Sequence, residues 1–302
     1  MRNLLPHLAL LGANLIYGIN YTIAKDVMTD GYVPPSAFIL MRVSGALLLF
    51  WVVYFLTGRE KIERKDFLRL FFCGVFGVAA NQLLFFNGLD HTTPINASII
   101  MTTNPILVLI ASAVLLRERI RWVRIAGIII GMGGAISLMI ANLQGGQNGF
   151  GLGASTFSGD LMVFCNAASY GVYLVVATPL MQKYKPLTVI TWVFTFGIFL
   201  VLPFGLREVP QIQWEMPAYI VWEIVFVIVA TTFFAYLLNI LALKALSPSV
   251  VSSYIYLQPV LATVFAIWLA NYKVGWMQVI CTLLIFVGVF LVSRPKAARA
   301  KN

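Results

Sequence analysis

"TTNPILVLIASAVLLRER", Thr102 to Arg119, is an apolar run that opens on polar residues and a proline, Pro105. The same grammar returns as "IYLQPVLATVFAIWLANYK", Ile255 to Lys273, where Pro259 stands 154 residues after Pro105 and again follows a carboxamide, Gln258 in place of Asn104. A proline within a helix lacks the amide hydrogen and crowds the carbonyl four residues back, here those of Met101 and Ile255. Two such segments ask for a common reason, and the surrounding chain supplies one.

Of 302 residues, 60% are hydrophobic and 11% charged, and mean hydropathy is +0.89; soluble domains carry roughly 25% charged residues. This is the composition of a polytopic membrane protein. Stretches of roughly 20 apolar residues can cross a hydrocarbon core. They fall at Pro6–Ala24, Pro35–Leu56, Phe67–Gly88, Pro94–Leu116, Val123–Ala141, Asp160–Met181, Leu187–Leu206, Pro217–Leu241, Pro248–Ala270 and Gly275–Ser293. The expected fold class is therefore an all-α integral membrane protein with ten transmembrane helices, in contact with the lipid bilayer.

The net charge of +10 sits in brief clusters at helix ends and not on a domain able to grip a duplex, so no nucleic-acid partner is expected. With the amino terminus in the cytoplasm, 17 of the 21 Lys and Arg residues lie inside. Lys25, Arg207 and Lys273 lie outside, and Arg42 falls within the second span. The opposite orientation would invert the positive-inside bias. Both termini are expected in the cytoplasm and the chain in the cell membrane, the inner membrane of a bacterium. The stretch from Met1 to Gly18 has the positive start and apolar run of a signal peptide, but no small-x-small site follows, and it reads as a retained first helix. Cys73, Cys165 and Cys281 all fall inside spans, which argues for small buried residues and against a disulfide framework.

Laying residue n on n+154 pairs Leu83 with Leu237, Pro94 with Pro248, Ser98 with Ser252, Pro105 with Pro259 and Gly134 with Gly288. At an offset of 153, "IYGIN" from Ile16 pairs with "SYGVY" from Ser169. The chain thus reads as a first five-helix repeat over residues 1–145, a Gly- and Ser-rich extracytoplasmic linker over 146–158, and a second repeat over 159–302 ending in a short basic cytoplasmic tail. Five is odd, so the second repeat enters the membrane from the opposite side; such inverted repeats are the architecture of many secondary transporters.

Ten spans in two copies, a "YG" in the first helix of each (Tyr17–Gly18, Tyr170–Gly171), "MR" at Met41–Arg42, Pro105 within the fourth span and "RER" at Arg117–Arg119 resemble the EamA family of the drug/metabolite transporter superfamily. The resemblance implies an exporter of small metabolites, amino acids among them, with a central cavity reached alternately from either side. It also implies an acidic residue closing the fourth and ninth helices; Glu118 stands at the first, and Tyr272 at the second.

Pro94 and Pro248 follow hydroxyl residues, Thr93 and Ser247, as in helix starts with a hydroxyl N-cap and proline at the first position. Pro105 and Pro259 instead fall at the middle of their spans, where the carbonyls they free need polar partners in a medium without water. Ser98, Thr102 and Asn104 in one repeat, and Tyr254, Tyr256 and Gln258 in the other, are near enough to serve and to line a cavity. The alternative is that the prolines only bend the helices for packing.

Asn14, Tyr17 and Tyr21 share a face of the first helix, as Asn166, Tyr170 and Tyr173 do on the sixth. The third and eighth add Asn81, Gln82 and Phe85, aligned with Ala235, Tyr236 and Asn239. Each tyrosine could equally be a packing residue. Together they describe a neutral, ring-rich chamber with carboxamides that donate and accept. Arg42 lies too deep for easy snorkelling, and Glu223 is placed at similar depth on the eighth helix. Arg42 either holds a substrate carboxylate or tethers a carbonyl; Glu223 either pairs with it or carries a proton. The Gly127-x-x-x-Gly131 spacing with Gly133 and Gly134 allows close helix contact, within one chain or in a weak dimer, so a monomer or weak dimer is expected.

The pattern favours a secondary transporter of a small uncharged or zwitterionic metabolite, an amino acid or an aromatic compound, and the family likeness implies export. A phosphorylated cargo would call for several cavity Lys or Arg residues, and only Arg42 is offered. A membrane-embedded enzyme would need clustered acids, histidines or a metal. His7 and His91 stand at span ends without a second ligand, and no phosphate loop or nucleophile motif appears, so neither metal nor cofactor is expected. A scaffold would need neither internal symmetry nor polar midplanes.

Overall fold

The computed structural model describes residues 4–29, 31–57, 60–92, 97, 100–117, 121–144, 157–258, 260–261 and 276–293. Every regular element among them is helical. The first repeat contributes α1 (Leu5–Thr29), α2 (Pro35–Thr57), α3 (Arg64–His91), α4 (Asn104–Leu115) and α5 (Trp122–Gln144). The second contributes α6 (Phe157–Lys183), α7 (Pro186–Glu208), α8 (Ala218–Ala245), α9 (Pro248–Ser253) and α10 (Trp276–Ser293). Five helical stretches among the described residues, Pro35–Thr57, Arg64–His91, Ser158–Lys183, Pro186–Gln211 and Ala218–Ala245, are long and apolar enough to cross a membrane.

The exterior of the bundle is apolar: Leu56, Trp122 and Trp276 are more than 80% exposed. A soluble monomer rarely shows such a surface, whereas lipid tails cover it without cost. Inside, Phe50 packs between Phe194 and Phe233 at 5.0 and 4.7 Å between ring centroids, joining α2, α7 and α8.

Proline sets several starts. Pro35, Pro186 and Pro248 open α2, α7 and α9, where a missing amide hydrogen has no intrahelical partner to lose. At α9 the expected hydroxyl cap is corrected. Ser247 has the extended backbone of an N-cap, but its hydroxyl makes no cap bond; its carbonyl accepts Val250 N–H and Val251 N–H at 2.9 and 3.1 Å. Thr93 and Pro94 lie outside the described residues, as do Ser98, Glu118, Tyr272 and Pro259.

Pro105 does not bend a continuous helix. The chain turns at Thr102–Thr103, with Thr103 N–H donating to Ile100 O at 3.0 Å, and α4 begins afresh with Pro105 in its first turn. The chain breaks just before the proline, whose lack of a donor falls where a new helix needs none. In the second repeat a 3-10 turn, Tyr254–Tyr256, follows α9 and interrupts the chain at the equivalent place, Tyr254 being 154 residues after Ile100.

The main packing partners all cross between repeats: α1 with α8, α3 with α6, α2 with α7 and α5 with α10. Exchanging each helix with its counterpart turns the first pair into the second and leaves the other two unchanged, so the packing has an internal two-fold. At α5–α10 the backbones nearly touch. A Cβ on Gly288 would meet the backbone of Gly131, and one on Gly127 would meet Gly288 O, while Gly133 faces open space. Gly127, Gly131 and Gly134 of α5 serve contact within the chain.

The connections at both ends of the α2–α7 pair are tied. At one, Lys183 Nζ reaches Asp66 Oδ2 at 2.5 Å and Glu63 Oε1 at 2.6 Å, Tyr184 O–H donates to Asp66 Oδ2 at 2.6 Å, and Lys185 N–H donates to Glu60 Oε2 at 2.9 Å. At the other, Ser36 N–H and Ala37 N–H donate to Glu208 Oε2 at 2.7 and 3.3 Å, a carboxylate from the second repeat completing the start of a helix in the first.

Replacing Gly288 by Val should force α5 and α10 apart and lower stability by about 1–3 kcal/mol or more, while Gly133→Val leaves it nearly unchanged; thermal unfolding in detergent measures both. Lys183 first, then Lys65, hold the Glu63 carboxyl below its ordinary range. A depressed carboxylate stabilises the fold above its unfolded pKa, about 4.3, and loses that contribution as pH falls through the lower folded value. The difference in thermal midpoint between the native protein and Lys183→Met should be widest above about pH 5 and narrow progressively as pH falls below the ordinary carboxylate range towards the lower folded value. Since Glu63 is exposed, added salt should shrink it.

Candidate functional site

Asn14, Tyr17 and Asn20 line one side of a cavity at three-residue spacing on α1. Asn166 and Tyr170 of α6 take the related position, and between them stand Asn81, Gln82, Phe85 and Phe86 of α3 and Thr231, Tyr236 and Asn239 of α8. Arg42 enters from α2, and Gln258 with three apolar side chains, Met101, Val251 and Ile255, completes the wall. The space measures about 750 Å³, including the part continuous with solvent.

The two-fold runs through this chamber. Gln82 and Tyr236 are 154 residues apart, hence images of one another, and they meet, Gln82 Nε2–H donating to Tyr236 OH at 3.4 Å. The Tyr236 hydroxyl has Asn81 Oδ1 at 3.2 Å and Gly77 O at 3.4 Å as acceptors. Asn104 Nδ2–H donates to Ala167 O at 2.7 Å, and Gln258 Nε2–H donates to Asn14 Oδ1 at 3.0 Å. Gln258 is the image of Asn104, and Ala167 that of Asn14 at the offset of 153, so one bridging contact is made twice. Asn239 Nδ2–H donates to Ala235 O at 2.8 Å and faces Tyr17 OH at 3.4 Å, while Asn166 Nδ2–H donates to Asn81 O at 2.6 Å.

Not every candidate faces the cavity. Asn104 is wholly buried, its amide committed to Ala167 O, and Thr102 is buried at the turn before it. Tyr173 packs its ring against Gly77, where a Cβ would collide with it. Tyr254 pairs with His7, its hydroxyl 2.6 Å from Nδ1, and Tyr256 O–H reaches Ile128 O at 3.3 Å from a fully buried position. Pro105 is buried, and Glu223 is half-buried outside the lining. Tyr21 lies on α1, with only its backbone described.

Asn20, Phe86, Met101, Thr231, Val251 and Ile255 were not expected. Asn20, three residues after Tyr17 on the same face, carried a readable signal; the apolar four, Phe86, Met101, Val251 and Ile255, carried none.

Arg42 is 3% exposed and is the one ionised side chain among the described lining residues. Its Nε–H donates to Thr232 Oγ1 at 3.1 Å, and its guanidinium carbon sits 4.4 Å from the Phe86 ring centroid, a cation–π distance. Among the described residues, five polar atoms of the wall are buried with no partner: Arg42 Nη1, Thr231 Oγ1, Asn20 Oδ1, Gln82 Oε1 and Asn166 Oδ1. Buried polar groups are otherwise almost always bonded. A cluster of such atoms around one space calls for a polar occupant, water or solute.

A bundle that shows its oily side outward and gathers cation, carboxamides and rings about a central space has the build of a membrane transporter. The chain belongs to the EamA-like transporter family, whose sequence model matches residues 4–140 and again 157–294, once per repeat. It is similar to an uncharacterized transporter of Bacillus subtilis (strain 168), YyaM, with 25% identity over 97% of this chain and 95% of that one. An uncharacterized transporter of Archaeoglobus fulgidus is also 25% identical, over 93% and 95% of the two chains. A probable terminal-alkyne amino-acid exporter of Streptantibioticus cattleyicolor is 27% identical over 60% of this chain and 57% of its own. Among solved structures, one crystal structure shares the fold at a TM-score of 0.75 and 19% identity, covering 95% and 96% of the chains.

Asn104→Ala should cost about 1–3 kcal/mol of thermal stability through the unpaired Ala167 carbonyl. Gln258→Ala, at the cavity wall, should change flux while leaving stability nearer that of the native protein. Unfolding midpoints and proteoliposome flux, normalised to folded protein, separate the two effects.

Proposed function

We propose that this transporter moves a small zwitterionic metabolite, an amino acid or an amine-bearing aromatic acid, by alternating access to the cavity. The supporting observation is the buried, unpartnered Nη1 of Arg42 in a chamber that otherwise offers neutral acceptors. A carboxylate answers the guanidinium; an ammonium answers the carboxamide oxygens of Asn20, Gln82 and Asn166; a ring matches Tyr17, Tyr170 and Phe85. An uncharged cargo would leave Arg42 unanswered, and a phosphorylated one would bring more charge than a single cation balances.

In this reading ten helices span the cell membrane as two inverted repeats, with both termini cytoplasmic and the Lys183–Asp66 tie at the cytoplasmic end. Packing that is unchanged when the repeats are exchanged supports the first part, and the Lys and Arg distribution supports the second. The α5 glycines are used on α10, which supports a single chain as the transport unit. Export as the direction rests on family likeness and on the named function of the Streptantibioticus relative.

The test is counterflow in proteoliposomes across a panel of amino acids and aromatic acids, each paired with its amide. Acids should be carried and amides poorly. Arg42→Gln should lower uptake of the acids by about tenfold to hundredfold, the scale of a lost charged hydrogen bond, and Arg42→Lys should recover part of it. Equal transport of acid and amide by the native protein would overturn the assignment.

A further inference from the structure

Two stretches leave the α-helical pattern in mid-span: Val75–Ala79 in α3 and Val227–Phe234 in α8. The repeat lays one upon the other, since Val229 and Phe233 stand 154 residues after Val75 and Ala79. Both are π-turns, which close backbone bonds five residues apart, widen the helix and occur often at functional sites. The carbonyls of α3 in this region are taken by side chains of neighbouring helices. Phe76 O accepts Ser169 O–H at 2.8 Å, and Gly77 O lies 3.4 Å from Tyr236 OH.

The turn in α8 acts through Thr232. Its hydroxyl donates to Val227 O, five residues back, at 2.7 Å. In a regular α-helix threonine reaches carbonyls three or four residues back, so the wide turn is what brings this acceptor beneath it. A hydroxyl has one proton. With that proton on Val227 O, the oxygen of Thr232 can only accept, and Arg42 Nε–H donates to it at 3.1 Å. The guanidinium is then held at Nε and laid over Phe86, with Nη1 left for the cavity. Thr231, the preceding residue of the same turn, presents its own unpartnered Oγ1 to that cavity.

The other repeat gives a comparison within the chain. The image of Arg42 is Thr195 or Phe196, depending on the offset, and that of Thr232 is Val78. Cation and hydroxyl are absent together. Val78 instead packs against Gly197, filling the place a Cβ there would take.

We propose that Thr232 is a positioning residue: fixed by the π-turn, it aims the Arg42 guanidinium so that Nη1 and Thr231 Oγ1 form a two-point seat for a carboxylate. Thr232 is fully buried and does not line the cavity, so it acts through Arg42. The inference rests on the reading of Arg42 as a carboxylate ligand.

The experiment is equilibrium binding of radiolabelled L-phenylalanine to the purified, monodisperse protein, competed with L-phenylalanine or L-phenylalaninamide. The native protein should prefer the acid by about tenfold or more. Thr232→Val, which keeps the shape and loses the hydroxyl, should bring the acid down to the level of the amide. Thr232→Ser should restore the preference. A Thr232→Val protein that keeps the native acid-to-amide ratio overturns the proposal, even if its unfolding midpoint falls, since Thr232 would then be a packing residue. If the valine variant does not purify, Thr232→Cys, a weak acceptor, is read the same way. Absence of acid preference in the native protein overturns the reading of Arg42, and this inference with it. A native preference that survives in Thr232→Val overturns this inference alone.

Discussion

Within hydrocarbon a polar atom can find partners only in the protein itself, and that requirement organises the bundle. Asn104 reaches from α4 to the backbone of α6, and Gln258 from beyond α9 to Asn14 on α1, one contact made in each direction across the repeats. Glu208 caps α2 from the far repeat, and Lys183 ties α6 to the start of α3. Several buried polar atoms that these bonds leave over are gathered in one chamber. The cavity is where the accounts of the membrane interior are left open.

Much of this was legible in the sequence because it is carried by spacing. The offset of 154 survives in prolines, glycines and carboxamides, and three- and four-residue intervals put Asn14 with Tyr17 and Asn166 with Tyr170 on common faces. Spacing does not say which neighbour covers a face. Tyr173, Tyr254 and Tyr256 resemble Tyr17 and Tyr170 in type and setting, yet Gly77, His7 and Ile128 take them out of the cavity. Those partners lie far along the chain, and only the assembled packing selects them.

The π-turns were not legible at all. "VFGVA" at Val75–Ala79 and "VIVATTFF" at Val227–Phe234 read as ordinary apolar helix. What distinguishes them is which carbonyls are claimed by side chains, those of α6 and α8 in the first and Thr232 of the same helix in the second. At Pro105 the helix break expected at mid-span is placed by its neighbours: that the chain restarts and does not bend through it depends on the turn at Thr102–Thr103.

Carboxylate bonds at both ends of the α2–α7 pair, Glu60 beyond α2 to the start of α7 and Glu208 at the end of α7 to the start of α2, limit how the two helices can part. A strut pinned at both rims cannot splay at either one without rupturing a carboxylate bond.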